Sequence, residues 1–85
     1  TALGDIQGSE GVYGLQRSFK MAGVKNLIMS LWSVPDNTTA EFMQVFYDHL
    51  LQRKSVNESF VLTQKIMRNK YKANPHKWAG IVLIQ

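Results

Sequence analysis

The run Asn26-Leu27-Ile28-Met29-Ser30-Leu31-Trp32, followed at once by Ser33-Val34-Pro35-Asp36, decides the fold of this chain. The run is almost wholly apolar, carries no charge and is too short for an ordinary helix, so it predicts a strand buried on both faces, as in the middle of a parallel sheet. Pro35 ends it, because proline has no N–H for a sheet ladder and restricts the backbone before it. Asp36 then stands where a side-chain oxygen can accept hydrogen bonds from the free N–H groups of a new helix, and predicts an N-cap.

Before the run, Val12, Leu15, Phe19 and Ala22 recur at helical spacing and predict a helix over 11–22, closed by Gly23 as C-cap. Gly14 either weakens that helix or permits close packing. Leu3–Gly11 holds Gly4, Gly8 and Gly11 among polar residues and predicts a loop; the spacing is not Gly-x-Gly-x-x-Gly, so no phosphate-binding turn follows. After the run, a second helix is predicted over 37–53, with Ala40, Met43, Phe46, Tyr47, Leu50 and Leu51 as its apolar face and Glu41, Gln44 and Asp48 pointing outward. Ser55-Val56-Asn57-Glu58 matches a capping box and opens a third helix over 55–72, with Phe60, Leu62, Ile66, Met67 and Tyr71 apolar and Asn74-Pro75 closing it. Trp78–Ile84 is apolar and partly β-branched, and predicts a second strand.

The order is therefore α-β-α-α-β in an α/β chain. Its 85 residues, 45% of them hydrophobic, suit one small domain with a modest core. Two short strands cannot satisfy their edges, so the sheet is expected to continue in residues outside this chain. Purified alone, the chain is expected to form a homo-oligomer through the exposed sheet edge. The missing initiator methionine and the small residues after Thr1 suggest a fragment made by truncation or cleavage.

Charge is uneven. The net is +4, but residues 53–77 hold seven Lys and Arg against Glu58 alone. Lys65, Arg68 and Lys72 fall at helical spacing opposite the apolar stripe and read as a solvated helix face. No aromatic stacking platform accompanies them, so nucleic acid is not an expected partner.

Little in the chain is complete chemistry. There is no cysteine, which fits a reducing compartment, and no apolar stretch long enough to span a bilayer, so the expected location is cytoplasmic. No catalytic residue, cofactor or metal site is assigned within the chain, since no nucleophile-base motif or ligand spacing occurs. His49 and His76 stand apart and read as surface histidines. Trp32 and Trp78, one at each strand end, are either core side chains or pocket walls.

Several stretches together resemble the CHAT family of caspase-like cysteine peptidase domains. Gly8-Ser9-Glu10-Gly11-Val12-Tyr13-Gly14-Leu15 and Arg17-Ser18-Phe19 resemble the family signature Gly-x-Gly-Glu-Gly-Val-x-Gly-Leu-x-Arg-Ala-Phe. Ala22-Gly23-Val24, Ser30–Asp36, Thr39, Phe46-Tyr47 and Asn74–Leu83 look like successive landmarks in the same order. The resemblance covers nearly the whole chain.

That resemblance implies the C-terminal segment of a three-layer αβα sandwich with a mainly parallel sheet. It also implies a Cys–His dyad, in which imidazole takes the thiol proton and the thiolate attacks a peptide carbonyl. Thr1-Ala2-Leu3-Gly4 looks like the tail of the family's Ala-Cys-x-Thr-Gly-Leu-Gly, which puts the cysteine two positions before Thr1 and the histidine further upstream. Residues 1–85 alone are then an inactive part of a single CHAT domain that supplies sheet core and a substrate loop. The Ser30–Asp36 segment is similar to the pocket loop of caspases and separases. By that resemblance Asp36 faces a basic residue beside the scissile bond of a peptide substrate, with Ser30 and Trp32 as further pocket candidates. From the residues alone Asp36 is equally a helix cap. A different class of function, a non-catalytic scaffold beside tetratricopeptide repeats, is the alternative.

Overall fold

The computed structural model describes residues 8–85. In chain order it holds α1 (Gly8–Met21), β1 (Leu27–Ser30), α2 (Asp36–Leu51), α3 (Val56–Lys70), a short 3-10 turn (Pro75–Lys77) and β2 (Ile81–Ile84). The expected order of helices and strands is met, with the 3-10 turn added after Asn74. The chain divides into two compact units, one comprising the residues up to Ser33 together with Ile81–Gln85, the other Val34–Gly80.

In the first unit, α1 begins at Gly8, inside the stretch expected to be a loop; residues 3–7 lie outside the described residues. Glycine's low helix propensity is only a weak preference, and it does not decide the start of this helix. The other end follows from Gly23. Its φ of 93° is open to glycine at little cost, and it lets the Gly23 N–H reach the Lys20 carbonyl (3.0 Å) and the Val24 N–H reach the Phe19 carbonyl (3.0 Å). Those two bonds are a Schellman motif. Gly14 is exposed and has no neighbour within 4 Å of where a Cβ would stand, so it is not a close-packing glycine.

β1 and β2 form a two-stranded antiparallel sheet with Leu27 opposite Ile84, Ile28 opposite Leu83, Met29 opposite Val82 and Ser30 opposite Ile81. The parallel arrangement expected of the first strand is absent from this pair. A continuous apolar run reports burial of both faces and carries no information about strand direction. Burial is met in part, since the other six ladder residues are half-buried. Met29 and Ile81 lie on opposite faces of the ladder, and both are buried. Beyond the last pair, the Gln85 side-chain N–H₂ donates to Asn26 Oδ1 at 3.3 Å. β2 is shorter than expected, because Trp78–Gly80 form a turn after the 3-10 segment.

The second unit is an α-hairpin. α2 packs on α3 through Phe42, Phe46, Phe60 and Met67, all buried. The Phe60 ring lies 5.5 Å from that of Phe42 and 6.4 Å from that of Phe46, tilted by 60° and 75°. These edge-on geometries favour aromatic pairs. The apolar face of α2 is therefore turned from the expected one: Thr38, Phe42 and Phe46 face inward, while Tyr47 and Leu51 are exposed, Leu51 by 83%. α2 is apolar over a wide arc, and spacing alone does not say which part of the arc meets a neighbour. On α3 the small polar Ser59 and Thr63 take buried positions, and Ile66 is exposed. The Thr63 hydroxyl donates to the Ser59 carbonyl at 2.7 Å, which satisfies it within its own helix.

The connection between the helices is tight. The Arg53 N–H bonds the Leu50 carbonyl at 3.0 Å, and Arg53 itself adopts φ 64°. Ser55 caps α3, its Oγ accepting from the Glu58 N–H at 3.0 Å, which forms the Ser half of the expected capping box.

Candidate functional site

The loop singled out by sequence begins at the last residue of β1 and ends at the first residue of α2. Ser30 is half-buried opposite Ile81, and its Oγ is buried without a hydrogen-bond partner among the described residues. Leu31 and Trp32 are exposed, Trp32 by 42%, so Trp32 is not the core side chain that its place at a strand end suggested. Val34, in the second unit, is buried.

Asp36 is the first residue of α2 and is exposed. It is not the N-cap. Pro35 holds that place with extended ψ (141°), and its carbonyl accepts the Thr39 N–H at 3.0 Å. Asn37 Oδ1 accepts the Thr38 N–H at 2.9 Å. The helix thus starts one residue earlier than expected. Proline's fixed φ suits a helix entrance, and its lack of an N–H costs nothing there. The Asp36 carboxylate makes no capping hydrogen bond and acts on α2 only through its favourable place at the positive end of the helix dipole.

A second polar constellation, in the helix pair, is absent from the sequence reading. Glu41, expected to point outward, is half-buried and bridges to the end of α3: it forms an ion pair with Lys70, and its Oε1 accepts the Tyr71 hydroxyl at 2.6 Å. The Lys77 ammonium lies 5.1 Å from the centre of the Tyr71 ring. Hydrogen bonds from Lys70 first and Tyr71 second hold the Glu41 carboxyl below its ordinary range. The Glu41 bond in turn raises both the Lys70 ammonium and the Tyr71 phenol. The partners are about 30 residues apart, and no local spacing marks such a pair. The group braces the two helices, and it lies in an exposed setting rather than in a cleft.

Over residues 1–85 the chain matches the model of the CHAT domain. The chain belongs to the CHAT domain family. It is 32% identical over 77 residues to human tetratricopeptide repeat protein 28 and 31% identical over 77 residues to the mouse protein of that name. Each match covers 89% of this chain, which spans about 3% of the length of either relative. No solved structure matches it.

Within this CHAT chain His49, expected at the surface, is half-buried, and His76 is exposed. His49 donates its Nδ1–H to the Val45 carbonyl at 2.9 Å, one turn back in α2, the only arrangement a carbonyl acceptor allows. His76 is exposed in the 3-10 turn. Among the described residues no three His, Asp or Glu side chains cluster as metal ligands, and no helix is long and apolar enough to cross a membrane. An open groove along α1 is lined by Gln16, Arg17, Lys20 and Met21, and none of Ser30, Trp32 and Asp36 borders it.

Proposed function

We propose that this CHAT chain is part of a caspase-like cysteine endopeptidase domain whose Cys and His lie upstream of Thr1. The sheet of the whole domain is mainly parallel within a three-layer sandwich, and the antiparallel β1–β2 pair is its edge, an arrangement common in otherwise parallel sheets. The chain lacks a nucleophile and a base, so by itself it hydrolyses nothing. Its contribution is the substrate loop. Asp36 recognises an Arg or Lys beside the scissile bond by charge-assisted hydrogen bonds. The observation that carries this assignment is the state of the carboxylate: it is exposed at the start of α2 and is not spent on capping the helix, because Pro35 and Asn37 take those roles. Ser30 and Trp32 remain pocket candidates on the strength of the resemblance alone.

The alternative is a scaffold in which the CHAT domain does not catalyse; the relatives' names, both tetratricopeptide repeat proteins, fit either class. Cleavage assays on the longer protein separate the two readings. A peptidase cuts a peptide panel and loses all activity when the cysteine two positions before Thr1 is replaced. A scaffold cuts no peptide with either residue at that position.

A further inference from the structure

The strongest charge feature outside the loop and the brace is the outer side of α3. Of the cations between 53 and 77, Lys70 is held by Glu41 and Lys77 lies over the Tyr71 ring. Lys65, Arg68 and Lys72 are different. All three are exposed, and none forms a hydrogen bond or ion pair among the described residues. Lys65 and Arg68 stand one turn apart on α3, and Lys72 follows in the turn after the helix ends at Lys70. Like charges one turn apart, as Lys65 and Arg68 are, destabilise a helix, and this offsets the favourable place of Arg68 in the last turn of α3. Exposed Val61 precedes Lys65 by one turn, which makes a row along α3, about 10 Å from Val61 to Arg68, with an aliphatic end and a cationic end that Lys72 follows past the helix.

We propose that the row Val61, Lys65, Arg68 and Lys72 docks an acidic amphipathic helix of a partner protein. Such a helix, lying alongside α3, presents Asp or Glu three and four residues apart against the cations and one aliphatic residue against Val61. Charge complementarity at that spacing specifies the occupant. A nucleic acid fits less well, because the row offers no free base-stacking ring: Phe60 is buried, and the Lys77 ammonium lies over the Tyr71 ring.

The test uses the chain as it is and two fluorescent helical peptides of identical composition. One carries Glu three and four residues apart beside a Leu; the other has that order scrambled. Anisotropy titrations at low salt are expected to show the patterned peptide binding at least about tenfold tighter than the scrambled one, with affinity falling as salt rises. The triple change Lys65→Glu, Arg68→Glu, Lys72→Glu abolishes binding, while Arg17→Glu with Lys20→Glu, on α1, leaves it intact. Val61→Ser weakens binding without changing the salt slope, and circular dichroism shows each variant folded. The proposal is overturned if both peptides bind equally, if neither binds, or if a DNA duplex of matched charge binds more tightly than the patterned peptide.

Discussion

The helix pair and the two-stranded sheet solve the same problem with unequal means. α2 and α3 close a core of their own from three phenylalanines and Met67, tie their ends with a Ser55 cap, and brace the far side through Glu41, Lys70 and Tyr71. β1 and β2 share only four ladder positions, yet they bury a side chain on each face. A two-stranded sheet leaves an open edge on each strand, and two short strands are marginal in water. The difference teaches where stability lies: the hairpin closes a core of its own, while the sheet, among the described residues, buries one side chain on each face.

Breaking the hairpin core has the largest expected effect. Phe42 is 0% exposed and touches the centre of the ring cluster, so Phe42→Ala should cost about 3–5 kcal/mol, measured by denaturant unfolding followed by tryptophan fluorescence and circular dichroism. A loss below 1 kcal/mol would mean that the cluster does not hold the two helices together. In the sheet unit the matching local test is Gly23→Ala. With φ at 93° the new Cβ meets no neighbour but strains the backbone, and the cost is about 1–2 kcal/mol. Equal stability of the two proteins would show that α1 does not end in the Schellman turn.

The brace sharpens the comparison through pH. Glu41 has a lowered folded-state pKa, so its contribution is present above the ordinary carboxylate value of 4.5 and is lost as pH falls through the lowered one. Lys70 is raised above 10.5 and Tyr71 above 10.0, so their contributions are complete below those values and are lost as pH rises through the raised ones. Glu41→Gln should therefore flatten the acid side of the stability profile while lowering stability at neutral pH by less than Phe42→Ala does. An unchanged acid limb would remove Glu41 from the brace. The smallest stability effect is expected of Asp36→Ala: the residue is exposed and caps nothing, and only its dipole interaction of about 0.3–1 kcal/mol is lost.

How much of this was legible in the sequence follows from the range of each signal. Gly23, Ser55 and the apolar runs act over a few residues, and each predicted its element correctly to within a few positions. What failed depends on partners distant in sequence. Strand direction is a property of the β1–β2 pair and not of Asn26–Trp32. The rotation of α2 that buries Phe42 and exposes Leu51 is set by α3. The Glu41 brace joins residues some 30 positions apart. At the candidate site the start of α2 was read to within one residue, but the capping role of Asp36 was not, because Pro35 supplies the helix entrance. Of the resemblance, membership in the CHAT family is shown, while the pocket roles of Asp36, Ser30 and Trp32 rest on analogy of position.

The most direct test of the central claim is the residue preference of the longer protein on peptides that vary beside the scissile bond, compared with its Asp36→Ala form at matched stability. The prediction is cleavage after Arg or Lys in the unaltered protein and loss of that preference in the variant, with the fold intact. Cleavage with the same preference in both proteins, or no cleavage by either, would contradict it.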